Sequence, residues 1–338
     1  MKQLFRYLAI IACASLFDST AFSEEVNIFT HRHYPADEQI YKMFEEQTGI
    51  KVNWVNDEAD KLLERLSAEG KNSKVDVLIT VDAGRLYRAK KMELLQKIDS
   101  EILTQNIPQS LRDPEGCWYA LTMRARILVY SRARVKPEEI STYAELADSK
   151  WKGRVLVRSS QHIYNISFLA AMIARQGRES AKNWAIAITQ NMARTPKGGD
   201  RDQIKGVAAG IGDIAIANSY YLGKLISGDE LDKAAIDSIG IVFPDQNGEG
   251  THVNISGAGV TKYAPNRENA IKFIEFMVEK EAQSLFSEAN YEYPVRTDVE
   301  PSPIVKSWGD FKHAEMDLNQ LGEYQMEALK VFDEAGWR

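Results

Sequence analysis

Residues 26–56 read VNIFTHRHYPADEQIYKMFEEQTGIKVNWVN. VNIFTHRHY has the pattern of a strand running into a loop, and PADEQIYKMFEEQTG then carries apolar residues at helical spacing up to a terminating glycine, Gly49. KVNWVN is a second strand. The same tempo continues downstream. ADKLLERLSAEG (59–70) reads as a helix stopped by Gly70, KVDVLITV (74–81) as a compact apolar strand, and Asp82 as the cap of a helix through LYRAKKMELL. Strand–helix alternation of this kind predicts a mostly parallel sheet with helices on both faces.

The chain has 338 residues, which at ordinary domain sizes is about two lobes. WYALTMRARILVYS (118–131) contains two strand-like runs able to carry the chain into the second lobe. There KGRVLVRSS (strand), NISFLAAMIARQ and ESAKNWAIAITQN (helices) and GDIAIANS (strand) repeat the α/β pattern. IGIVFPDQNGEGTHVNISGAGV (239–260) reads as the way back, ENAIKFIEFMVEKEAQSLFSEA as one amphipathic helical stretch, and LNQLGEYQMEALKVFDEAG as part of the final helices. The expected division is a first lobe of 24–122 plus about 246–297 and a second of 123–245 plus about 298–338. Two lobes joined by at least two crossings favour hinge motion around a cleft.

The N-terminus is of a different kind. MKQLFRY carries Lys2 and Arg6, LAIIACASLF is apolar, and AFS (21–23) supplies small residues for a signal peptidase. Residues 1–23 are read as a cleaved secretory signal, with the cut at Ser23–Glu24 and the periplasm as destination. Ile11-Ala12-Cys13 has the look of a lipoprotein box, but the apolar run continues past Cys13, which speaks against lipidation. Cleavage removes Lys2, Arg6 and Asp18, a net +1, and takes the formal charge from −6 to −7. Nucleic acid is a poor partner for an acidic exported chain. Cys117 is then alone, so no internal disulfide forms, and the five histidines include no H-E-x-x-H pair.

In open α/β sheets, ligands bind beyond the carboxyl ends of strands. Tyr34 follows VNIFTHRH, Tyr164 lies just past RVLVRSSQHI, and the adjacent Tyr220 and Tyr221 follow DIAIANS. Four phenols at three such ends suggest a set converging on the cleft. Phenol oxygen ligates most divalent ions poorly because its pKa is near 10. A small trivalent ion stabilises phenolate enough to expel the proton, and hard Fe³⁺ suits oxygen-rich sites. Asn218 and Ser219 are placed to cap a helix at the tyrosine pair, whose N-terminal dipole would favour phenolate. His33 either completes coordination through neutral imidazole or hydrogen-bonds to the site.

These segments, in order, resemble a known family over essentially the whole mature chain. R-H-Y at 32–34, ADKLLERLSAEG, VDVLITVDAGRLYRAK, WYALTMRARILVYSR, VRSSQHIYNISFLAAMI, NSYYLGKL and HVNISGAGVTKYAPNRENAIKFIEFM carry the likeness. The chain looks like a periplasmic ferric-iron-binding protein of the bacterial transferrin type, the substrate-binding component of an iron ABC transporter. The resemblance implies the α/β, two-lobed type II periplasmic binding protein fold, with each lobe a mostly parallel sheet flanked by helices. It implies iron ligation by Tyr34, Tyr164, Tyr220 and Tyr221, and leaves His33 open, because that histidine is a ligand in only some relatives. Arg124, in TMRAR, matches a basic residue that balances charge or holds a synergistic anion; the alternative is a surface charge on a strand. The implied partners are an inner-membrane permease and its ATPase, with the binding protein itself a monomer and not an enzyme.

Rival readings are a same-fold protein for a polyamine, thiamine or an oxyanion, and an exported hydrolase built on Ser159, Ser160 and His162. Polyamine sites need several carboxylates, oxyanion sites do not need four tyrosines, and SSQH lacks a G-x-S-x-G elbow. Tyr119, Tyr130, Tyr291 and Tyr293 read as packing groups, and His252 and Asn254 as backbone-positioning residues near the hinge.

Overall fold

The computed structural model describes residues 24–32 and 34–338; the signal segment, Cys13 and His33 lie outside the described residues. The opening stretch folds as β1 (Glu25–Thr30), α1 (Pro35–Thr48) and β2 (Lys51–Asn56). Gly49 ends α1 in the left-handed region at φ 73°, where a side chain would be strained. Next come α2 (Ala59–Glu69), β3 (Val77–Val81), α3 (Ala83–Lys91) and α4 (Glu101–Asn106). Asp82 caps α3 by accepting the Gly84 amide at 2.9 Å.

β4 (Tyr119–Ser131) is thirteen residues long and buried throughout. Two separate strand-like runs were expected here, and the structure has one strand. Arg124 and Arg126 look like a polar break in sequence, yet both are 2% exposed and bonded inside the molecule. After β5 (Val155–Leu156) come α5 (Ile163–Gln176), α6 (Arg178–Asn191), α7 (Asp200–Ala208), β6 (Ile214–Asn218), α8 (Tyr220–Ile226) and α9 (Glu230–Asp237). The chain continues through β7 (Ile239–Val242), β8 (Val253–Val260), α10 (Arg267–Met277), α11 (Lys280–Asn290), α12 (Pro303–Lys306), α13 (Gln320–Glu323) and α14 (Gln325–Ala335). The long amphipathic stretch is thus two helices, parted at Val278–Glu279. α7 and α9 were not read from the sequence, being short and mostly polar.

The sheet runs β2-β1-β3-β8-β4-β6-β5, with β7 also on β4. β1 pairs parallel with β2 and β3, and β5 parallel with β6. β8 lies antiparallel between β3 and the first half of β4, Tyr119–Ala125. The second half, Arg126–Ser131, pairs antiparallel with β6 and β7. One strand therefore serves two strand groups, and the chain crosses back between Val242 and Val253. Two hydrophobic clusters fill the interior: one gathers Phe44, Trp118, Phe273 and Phe286, the other Tyr143, Phe168, Trp184, Phe332 and Trp337. The C-terminal α14 packs on α5 and α6, whereas α13 touches both α3 and α5. Among the described residues no helix is long and apolar enough to cross a membrane.

Candidate functional site

The junctions after β1 and β6 and the start of α5 bring all four tyrosines together. Tyr34 occupies the extended position before α1, at φ −93° and ψ 144°, where the following Pro35 is readily accommodated. Its amide donates to Asp37 at 3.3 Å. Asp37 in turn accepts from Arg32 at 3.1 and 3.2 Å, and Arg32 also donates to Thr122 and Glu292, each at 3.1 Å. This buried arginine ties the loop to β4 and to the segment after α11, and lies 5.0 Å from the centre of the Tyr34 ring.

Tyr164 sits in the first turn of α5, where His162 caps the helix by accepting the Tyr164 amide at Nδ1, 3.3 Å. Tyr164 and Tyr220 hydroxyls are 2.9 Å apart. Tyr220 and Tyr221 open α8, with ring centres 4.2 Å apart and planes tilted by 32°. In a continuing strand they would have pointed to opposite faces; the strand-to-helix switch lets both rings lie together.

The capping expectation fails. Ser219 is itself helical and its Oγ accepts from the Ala125 amide at 3.2 Å, while Asn218 Oδ1 accepts from Arg126 at 3.0 Å. These side chains join α8 to β4 and leave the terminus of a seven-residue helix uncapped. Gly223 explains the close seat of α8: a Cβ there would stand 2.1 Å from the Tyr291 ring.

Around the phenols the charges are unevenly placed. Asp200 accepts from Arg126 at 2.8 Å and from Arg158 at 3.2 Å, and Arg158 lies 5.4 Å from the Tyr164 ring centre. Arg124 is buried, which excludes the surface-charge alternative; its Nη1 donates to Ser256 at 3.2 Å and its Nε has no hydrogen-bond partner among the described residues. Lys224 stands over three rings, 4.2 Å from Tyr34, 5.3 Å from Tyr220 and 6.0 Å from Tyr221. Burial raises the pKa of Tyr34, Tyr220 and Tyr221 above the usual phenol value, with the neighbouring phenols adding to it. Glu292 pushes Tyr34 further up, while Arg32 and Arg124 pull it down. Burial, assisted by Arg158, lowers His162 to about 3, so its imidazole is neutral.

Among the described residues no group of three or more His, Cys, Asp or Glu side chains could hold a metal ion. A metal would have to use other oxygens, and the phenols supply hard ones that gain charge on losing a proton. The hydrolase reading finds no support in the hydrogen bonds: the Ser159 hydroxyl accepts from the Gln161 amide and His162 Nδ1 from a backbone amide.

A family model for bacterial extracellular solute-binding proteins matches residues 72–317. The chain belongs to that family. It is 47% identical over 326 residues to iron uptake protein A1 of Synechocystis, covering 96% of this chain and 91% of that protein. A solved Trichodesmium structure, IdiA or FutA in complex with iron and citrate ligands, superposes with a TM-score of 0.90 at 47% identity, covering 93% of this chain and 100% of that one. The ferric binding protein from Campylobacter jejuni superposes at 0.87 with 42% identity, covering 93% and 100%. As an extracellular solute-binding protein, the chain has the two-lobed type II fold of these neighbours.

Sequence reading of this solute-binding protein missed Lys224, Arg158, Asp200 and Glu292. Lys224 carried a local signal, since it lies one helical turn beyond Tyr220 in NSYYLGKL. Glu292 and Asp200 carried none, because their partners are far away in sequence.

Proposed function

We infer that this chain binds ferric iron through Tyr34, Tyr164, Tyr220 and Tyr221 and serves iron uptake. The observation that carries the reading is the convergence of four phenols from three separate junctions, with Tyr164 and Tyr220 hydroxyls 2.9 Å apart. Burial of Tyr34, Tyr220 and Tyr221 favours their neutral form, so a weakly charged metal would not displace the protons; a trivalent ion would. Four phenolates around Fe³⁺ leave one negative charge, which Arg124 and Arg158 are placed to offset. Arg124, whose Nε has no partner among the described residues, is also the group we assign to a synergistic anion. His33 is retained as a further ligand or hydrogen-bond donor.

The reading extends to delivery. Tyr34 belongs to the lobe of 24–122 plus about 246–297, and the other three tyrosines to the lobe of 123–245 plus about 298–338. Bound iron then bridges the lobes, and the closed form is what an inner-membrane ABC permease and its ATPase would engage. A ligand shifts this equilibrium only by its differential affinity for the two forms. Reduction favours release, because Fe²⁺ is the weaker Lewis acid. The protein acts as a periplasmic monomer, after cleavage at Ser23–Glu24, and without catalysis. Titrating purified protein with chelated Fe³⁺ is expected to produce a visible tyrosinate-to-iron absorption band that disappears on reduction. Stoichiometric iron binding without that band would overturn ligation by phenolates.

A further inference from the structure

Lys224 spans a boundary that its position in the sequence does not reveal. It lies on α8, directly after β6, yet its ammonium is closer to Tyr34, after β1, than to either tyrosine of its own helix: 4.2 Å against 5.3 and 6.0 Å. Tyr34 belongs to the β1–β3–β8 strand group, and α8 follows the strand that pairs with the far half of β4. The contact therefore links the two strand groups directly. Burial works against the charge on this ammonium, as do Arg201 and Arg32, while Glu292 and Asp37, on the Tyr34 side, attract it. Gly223 lets α8 sit against Tyr291, the neighbour of Glu292, so the helix bearing Lys224 approaches closely enough to make the contact. Ring faces attract cations through their quadrupole, whereas a metal takes the phenol oxygens.

We propose that Lys224 is an internal clamp, a positioning residue that draws the two strand groups together over the face of Tyr34 and assembles the tyrosine set independently of metal. This deepens the ferric-site reading and rests on it for its purpose, although the clamp itself can be measured without iron. On this account the hinge equilibrium is already biased toward closure, and metal supplies only the remainder.

The test is small-angle scattering of chelator-stripped protein, with the melting temperature of each variant as a check on folding. The wild-type curve is expected to fit this structure, in which Lys224 meets the Tyr34 ring, and to change little on adding Fe³⁺. Lys224→Met keeps the aliphatic stem and removes the charge; it is expected to shift the closed-to-open ratio by about thirty-fold, the weight of a desolvated cation–π contact, and to expand the stripped protein. Lys224→Arg should restore compaction. Tyr34→Phe, which keeps the ring, should remain compact when stripped, whereas Tyr34→Leu should open. A stripped wild type that fits only an open form overturns the clamp, as does a Lys224→Met curve identical to wild type. Failure of the ferric reading looks different: wild type would show no iron band while the scattering series kept its order.

Discussion

The two halves of the tyrosine set are held by buried ion clusters of opposite formal sign. Beside Tyr34, one guanidinium, Arg32, faces two carboxylates, Asp37 and Glu292, with side-chain exposures of 0%, 4% and 2%. Beside Tyr164 and Tyr221, one carboxylate, Asp200, faces two guanidiniums, Arg126 and Arg158, with exposures of 0%, 2% and 13%. Counted as ionised groups, the first cluster is negative by one charge and the second positive by one. Burial and the neighbouring phenols nevertheless raise Tyr220 and Tyr221 as they raise Tyr34, and Asp200 itself pushes Tyr221 up, so the sign of the cluster alone does not decide which phenol gives up its proton. On the proposed ferric reading, ordered loading is expected from the division of the set: metal meets Tyr164, Tyr220 and Tyr221, on the side of the second strand group, first, and Tyr34, after β1, completes the site last.

The largest expected effect comes from removing the shared carboxylate. Asp200→Asn leaves two buried guanidiniums without a counter-charge and should lower stability by about 3–5 kcal/mol, read by urea denaturation of the iron-free protein. A loss no greater than that of Glu292→Gln would break the comparison, since Arg32 keeps Asp37 when Glu292 is neutralised.

Next are the proposed ligands themselves. Tyr164→Phe, Tyr220→Phe and Tyr221→Phe should each weaken ferric binding by at least about a hundredfold, beyond what deletion of an outer partner does. Tyr34→Phe should weaken final affinity while preserving the first colour change in stopped-flow mixing. Loss of that early phase in Tyr34→Phe would reverse the order of loading.

The smallest effect sharpens the role of the negative cluster. Glu292 raises the pKa of Tyr34, so protons compete with metal more strongly there. Glu292→Gln removes that contribution, lowers the Tyr34 pKa and should let the iron band survive to lower pH. The shift in the midpoint of acid bleaching is expected to be less than about one unit. A midpoint that rises instead would show that Glu292 supports the metal rather than the proton.

The contrast also marks how far the sequence could be read. The α/β tempo was legible because each strand and helix of the first strand group carries its own periodicity and stop, as Gly49 and Gly70 do. The four tyrosines were legible through their places at element ends. β4 was divided too soon because Arg124 and Arg126 imitate an exposed break; their acceptors, Ser256, Asp200, Asn165 and Asn218, lie many residues away. For the same reason the two ion clusters were invisible: Arg32 and Glu292 are 260 residues apart. Asn218 and Ser219 misled in the opposite way, having good local capping chemistry that tertiary partners on β4 claimed first.

β8 has a consequence for the timing of folding. It fills the gap between β3 and β4, with Val81 beside Ser256, so the first strand group stays incomplete until residues 253–260 have been made. Until then β3 presents an unpaired edge, and closing so long a loop is entropically slow. A nascent chain of this topology remains unfinished through most of its synthesis. That delay is an advantage to any polypeptide that must be threaded through a translocation channel before it folds, and it makes a strand inserted late in the chain the step that commits the molecule to its native form.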